Sequence, residues 1–181
     1  MASWTPEMAR YIGLGEDEPS EDSERRVANA LRELPDDWIV IHHVSWQSRR
    51  GGRQGDGEAD FVVLHPKRGL LVIEVKGGGI EIHDGRWSTI DRRGDRHPIK
   101  NPYEQATDSK HALLGWVKEH GLAGRVRIGH AVAFPHMSNL PNVGPAGATA
   151  ISFARPDLDT IISTIDRCFD HWELEAKLAV N

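Results

Sequence analysis

The chain has 181 residues, 39% of them hydrophobic and 27% charged, with a formal net charge of −5. This suits one globular domain and excludes wholesale disorder, and no apolar run approaches the ~20 residues that cross a bilayer. A single cysteine, Cys168, excludes an internal disulfide framework and a thiolate zinc cage. Residues 1–10 lack the apolar core of a signal peptide, so the expectation is a soluble cytoplasmic protein with no membrane partner.

Residues 1–19 read as a loose lead-in, broken by Gly13, Gly15 and Pro19 and carrying the acidic run Glu16-Asp17-Glu18. A single domain is expected over 20–181. Ser20 to Leu34 reads as a helix, with Ser20 or Ser23 as its cap and Val27, Ala28, Leu31 and Leu34 as its apolar stripe. Trp38 to Trp46 is rich in Ile and Val and reads as a strand. Gln47 to Gly57 reads as a loop. Two strands follow, Asp60–Leu64 and Leu70–Lys76, joined by the turn His65-Pro-Lys-Arg-Gly69. Ile80 to Ile90 reads as a hairpin turning at Asp84-Gly85. Asn101 caps a helix that has Pro102 at its first position, Glu104 at its third and its end near His120. Arg125 to Phe134 reads as a strand, Pro135 to Gly147 as a loop, Ala150 to Phe153 as a short strand and Pro156 to Lys177 as a helix. The pattern is α/β, with a central mixed sheet flanked by helices.

Charge is unevenly spread. Residues 49–100 hold 11 Lys and Arg against 8 Asp and Glu, whereas residues 1–48 hold 4 against 10. Any polyanion contact is therefore to be sought in the middle third. There, Arg49, Arg50 and Arg53 flank Gly51 and Gly52, and they either grip phosphates or decorate a solvated loop.

The two strands at 60–64 and 70–76 carry the chemistry. If the turn sets Leu64 against Leu70, Asp60 lies opposite Glu74, and Glu74 and Lys76 share a face. Carboxylates directly across a sheet repel, and a divalent cation such as Mg²⁺ or Mn²⁺ removes the conflict. Lys76 is then a cation beside that site, able to acidify water or hold a phosphate oxygen. The competing reading makes Asp60 and Glu74 ordinary polar positions, with Lys76 paired to Glu58. Three glycines, Gly77 to Gly79, follow Lys76 and permit a bulky backbone such as DNA to come close. Glu24 either serves the helix dipole or projects from the apolar face as a third acid. Gln105 is a polar first-turn residue that could reach substrate. His42 and His43 point to opposite faces of their strand. Arg92, Arg93 and Arg96 read as a solvated hairpin end.

The segments Gly57-Glu-Ala-Asp-Phe-Val-Val-Leu64, Gly69-Leu-Leu-Val-Ile-Glu-Val-Lys-Gly77, Trp87 and Asn101-Pro-Tyr-Glu-Gln105 resemble the nuclease-related domain (NERD) family. That family is similar to the PD-(D/E)xK nucleases, and the likeness spans about residues 20–135. The resemblance implies a restriction-endonuclease-like core. It implies Mg²⁺ or Mn²⁺ held by Asp60, Glu74, the Val75 carbonyl and Glu24, with Lys76 positioning a metal-activated water. It implies Gln105 as the polar residue of the following helix. The superfamily's Pro-Asp is Ala59-Asp60 here.

The reading is a nuclease that hydrolyses DNA directly, with Arg49, Arg50, Arg53, Gly77 and Gly78 contacting nucleic acid. A fused or partner helicase and a homodimer are further expectations. The alternative is a non-catalytic nucleic-acid-binding or assembly module on the same fold. A plain structural domain is the third reading.

Overall fold

The computed structural model describes residues 8–13, 19, 21–50, 53–122, 124–143 and 148–178, with the backbone alone for 47–50, 53–57 and 148. A six-stranded mixed sheet forms the centre. Its strands are β1 (Arg10–Ile12), β2 (Ile39–Arg50), β3 (Arg53–His65), β4 (Gly69–Val75), β8 (Ile128–Phe134) and β9 (Ser152–Ala154), side by side in that order. The pairings β2–β3 and β3–β4 are antiparallel, and β1–β2, β4–β8 and β8–β9 are parallel. A second sheet holds β5 (Gly79–His83), β6 (Arg86–Ile90) and β7 (Arg96–Ile99). Among the described residues, four α-helices flank these sheets: α1 (Asp22–Leu31), α2 (Pro102–Glu119), α3 (Arg155–Leu158) and α4 (Ile161–Leu178). None of them is long and apolar enough to cross a membrane.

Side-chain alternation assigns the two faces of the central sheet. Phe61, Val63, Leu71, Ile73 and Val75 pack against Val27, Ala28 and Leu31 of α1 and Ile165, Cys168 and Phe169 of α4. Val62 and Val72 pack on the other face against Val117 of α2. Ile80 of the small sheet joins Ala106, Val132 and Phe134 in a third cluster. This is an α/β fold with a restriction-endonuclease-like arrangement, a mixed sheet between helices.

The β3–β4 register is the expected one, with Leu64 paired to Leu70 and Phe61 to Ile73. The hairpin turn at Asp84-Gly85 also stands, both residues having positive φ (50° and 74°) as a tight reverse turn requires. Asn101 caps α2 as expected, its side chain accepting from Tyr103 N at 3.0 Å.

Other expectations need correction. The expected loop at 47–57 is largely strand, because β2 and β3 stay paired out to Arg50 and Arg53. This hairpin arm has no alternating apolar pattern to betray it, and Gly51 and Gly52 lie outside the described residues. The lead-in contributes β1, whose Arg10–Ile12 pairs with Ile39–Ile41. The cap of α1 is Glu21, without a side-chain cap bond, and Ser23 is buried inside the helix; Ser20 lies outside the described residues. Arg96 begins a strand, β7, that Pro98 obscures; proline fits there because β7 is a sheet edge. The expected strand at 150–153 is a 3₁₀ turn over Ala148–Ile151 followed by β9. The last helix is broken at Asp159-Thr160, where Thr160 N and the Thr164 hydroxyl both donate to the Asp157 carbonyl.

Candidate active site

β4 ends alongside the middle of β3, and their register sets Asp60 beside Glu74 one step beyond the Phe61–Ile73 pair. The Asp60 carboxylate turns back on β4, where Oδ2 accepts from Val75 N at 2.6 Å. Glu74 is only 5% exposed, and its Oε1 lies 2.7 Å from Lys76 Nζ. Lys76 is thus paired with Glu74 rather than with Glu58. Burial pushes the Asp60 carboxyl up to about 7, with the charge of Glu74 adding to the rise. Glu74 is also raised, by burial first and by Glu58 and Glu24 behind it, against the pull of Lys76. Two desolvated acids share one lysine, which leaves negative charge without a counter-charge when both ionise.

Two histidines of β2 hold the neighbouring acids. His42 Nε2 lies 2.9 Å from Glu24 Oε2, and His43 Nδ1 lies 2.9 Å from Glu58 Oε1. His43 has φ 58°, an unusual backbone state for a non-glycine strand residue. The sequence placed the two rings on opposite faces, but their acid partners became visible only in the fold.

The donor chemistry of Asp60 and Glu74 fits a hard divalent cation, which would offset the burial that raises both carboxyls and the charge that Glu74 adds at Asp60. The Val75 backbone already touches Asp60, so its carbonyl leaves from a residue at the site. Among the described residues, no three His, Cys, Asp or Glu side chains are placed to hold a metal together. Glu24 is held by His42, and its charge acts on Asp60 and Glu74 from α1.

Gln105 lies on α2 one turn before Ser109, whose hydroxyl donates to the Glu58 carbonyl at 3.1 Å. Gln105 Oε1 is buried and has no hydrogen-bond partner among the described residues. Such a group is uncommon and costly unless something completes it.

The glycines after Lys76 have intramolecular reasons to be glycine. A Cβ on Gly77 would sit 2.9 Å from Ser23 Oγ, and one on Gly78 would sit 2.3 Å from Thr89 Oγ1, at φ +80°. Beside them a cleft of about 650 Å³ opens, lined by Asp22, Arg26, Lys76, Gly77, Gly78 and Arg92 among others. The side chains of Arg49, Arg50 and Arg53 lie outside the described residues; their backbones lie at the far end of the β2–β3 arm.

A family model described as the nuclease-related domain matches residues 19–135, well over half of the chain. The chain belongs to the NERD family. No curated protein and no solved structure matches it. The NERD match runs from just before α1 to just after β8, so it includes Glu24, Asp60, Glu74, Lys76 and Gln105. Residues 136–181 lie outside the match, yet β9 extends the same sheet and α4 buries Ile161, Ile165, Cys168 and Phe169 in the same core.

Proposed function

We propose that this NERD-family chain is a metal-dependent nuclease that hydrolyses DNA phosphodiester bonds. The observation that supports this most is the buried Asp60–Glu74 pair, whose ionised form lacks a matching positive charge, with Lys76 bonded to one of its members. Asp60 and Glu74, with the Val75 carbonyl, would hold Mg²⁺ or Mn²⁺. Such an ion neutralises phosphate charge and makes water more acidic.

The chain's own residues then have distinct tasks. Glu74 holds the Lys76 ammonium by its 2.7 Å contact, so the cation is in place before substrate arrives. Lys76 offsets the negative charge that builds on the phosphate oxygens as water attacks. Gln105 offers a buried acceptor that an incoming water or substrate donor can fill. Attack is direct, without a covalent enzyme intermediate. DNA approaches along the cleft beside Gly77 and Gly78 and meets the basic hairpin arm of Arg49, Arg50 and Arg53. Cutting both strands of a duplex needs two sites, which a homodimer supplies. The acidic net charge weakens non-specific DNA affinity, so a helicase or another partner domain would deliver the substrate.

The test is cleavage of labelled single- and double-stranded DNA by wild type, Glu74→Ala and Lys76→Ala, with Mg²⁺, Mn²⁺ or EDTA. Metal-dependent cleavage that both substitutions reduce to a small residue is the expected result. DNA binding without cleavage under every condition would replace the nuclease with a binding module. Cleavage that survives both substitutions would move the active site elsewhere.

A further inference from the structure

Resting on the nuclease reading, we propose that His136, Asp22 and Thr89 are positioning residues that aim Lys76 by clamping the Gly77–Gly78 peptide unit just beyond it. Lys76 is the first residue beyond β4, and its own N–H donates to the Ala133 carbonyl at 2.9 Å. The Gly77–Gly78 peptide is then held at both its carbonyl and its N–H, and Gly77 is crowded from a third side. The Thr89 hydroxyl, from β6, donates to the Gly77 carbonyl at 2.9 Å. Gly78 N donates to His136 Nδ1, also at 2.9 Å, from the turn that follows β8. Ser23 of α1 closes the third side, 2.9 Å from where a Gly77 Cβ would stand.

The histidine is itself oriented. Because Nδ1 accepts from Gly78, the proton of the neutral ring sits on Nε2, which donates to Asp22 Oδ2 at 2.9 Å. Asp22 is in turn gripped by Arg25 at 2.7 Å and Arg26 at 2.9 Å. The chain of contacts therefore runs from the first turn of α1 through His136 to the backbone two residues beyond Lys76. The direction of the Lys76 side chain depends on the torsions of that backbone, and misplacement of a reacting group by about 1 Å can cost about 10²-fold in rate. Thr89, His136 and Asp22 all line the cleft into which Lys76 opens, so the clamp forms part of its wall. His136 lies just past the end of the NERD match, which ties this turn of the chain to the site.

The experiment uses the full chain and the variants His136→Ala, His136→Asn and Thr89→Val, in wild-type and Lys76→Ala backgrounds. Their thermal melts verify folding. His136→Ala is expected to lower kcat by roughly 10- to 100-fold with KM nearly unchanged. His136→Asn is expected to recover part of that loss, since its Oδ1 can accept from Gly78. With Lys76 already replaced, His136→Ala should change residual cleavage no further. A folded His136→Ala protein with unchanged kcat, or an equal loss with and without Lys76, would overturn the clamp while leaving the nuclease reading intact. If wild type does not cleave, the nuclease reading fails and NMR still decides the clamp. The chain has six lysines, so ¹³Cε-labelled lysine gives a small spectrum in which Lys76 is the signal lost in Lys76→Arg. A shift of that signal in His136→Ala but less in His136→Asn supports the clamp, and an unmoved signal overturns it.

Discussion

At the turn of the β3–β4 hairpin, Arg68 meets three acids of α4; at the other end of β4, Asp60 and Glu74 share one lysine. Arg68 reaches Asp166 at 2.7 Å, Glu173 at 2.9 Å and Asp170, and its guanidinium also lies over the Phe169 ring. Two of those acids are largely solvated, with side chains 44% and 70% exposed, so water screens the surplus negative charge. Glu74 has no such relief, being 5% exposed. The turn-end cluster is built to dock α4 on the sheet. The other end concentrates like charge where it costs stability, as sites that await a cation or a substrate do.

The largest expected effect separates the two ends by activity. Glu74→Ala and Lys76→Ala should each lower kcat/KM for DNA cleavage by at least about 10³-fold. Arg68→Ala should leave cleavage within about threefold of wild type. Loss of cleavage in a folded Arg68→Ala protein would break the contrast.

The next effect is pH dependence. Unfolded, Asp60 releases its proton near 3.8; folded, it keeps it to about 7. Below the lower value both states are protonated and the group contributes nothing. Between the two, the folded state binds more protons, so raising the pH favours unfolding; above about 7 the full penalty, on the order of a few kcal/mol, is present. Urea melts at about pH 5 and about pH 8 should therefore show wild type losing more stability than Asp60→Asn on going to the higher pH. Added Mg²⁺ should narrow that gap for wild type alone. Parallel pH profiles for the two proteins would contradict the crowding argument.

Arg68→Ala should cost about 1–3 kcal/mol in the same melts, because several half-buried contacts to α4 go at once. The smallest effect is expected for Glu74→Gln without metal. It removes a desolvated charge but also the partner of Lys76, so the change should stay within about 1 kcal/mol. A large destabilisation by Glu74→Gln, equal with and without Mg²⁺, would make Glu74 a structural residue like those around Arg68.

Much of this site was legible in the sequence because it is local. Asp60 and Glu74 sit on two strands joined by a three-residue turn, with Lys76 just past the second strand, and strand alternation with one short turn places them together. The Asn101-Pro102 start of α2 was legible for the same reason. The partners that hold the site were not. His42 reaches Glu24 and His136 reaches Asp22 across 18 and 114 residues of chain. The long hairpin arm is not legible because strands that project beyond the core need no apolar alternation.

By itself, the sequence determined the element types of the core, the β3–β4 register and the facing of Glu74 and Lys76, since these depend on side-chain period and turn length alone. The tertiary structure alone decided that β1 joins the sheet, that Lys76 pairs with Glu74 rather than Glu58, and that Gln105 Oε1 is buried without a partner among the described residues. It also decided that the glycines after Lys76 are pinned by Thr89, His136 and Ser23. The pinning of these glycines and the joining of β1 are contacts between segments far apart in the chain, and they form only where packing brings those segments together.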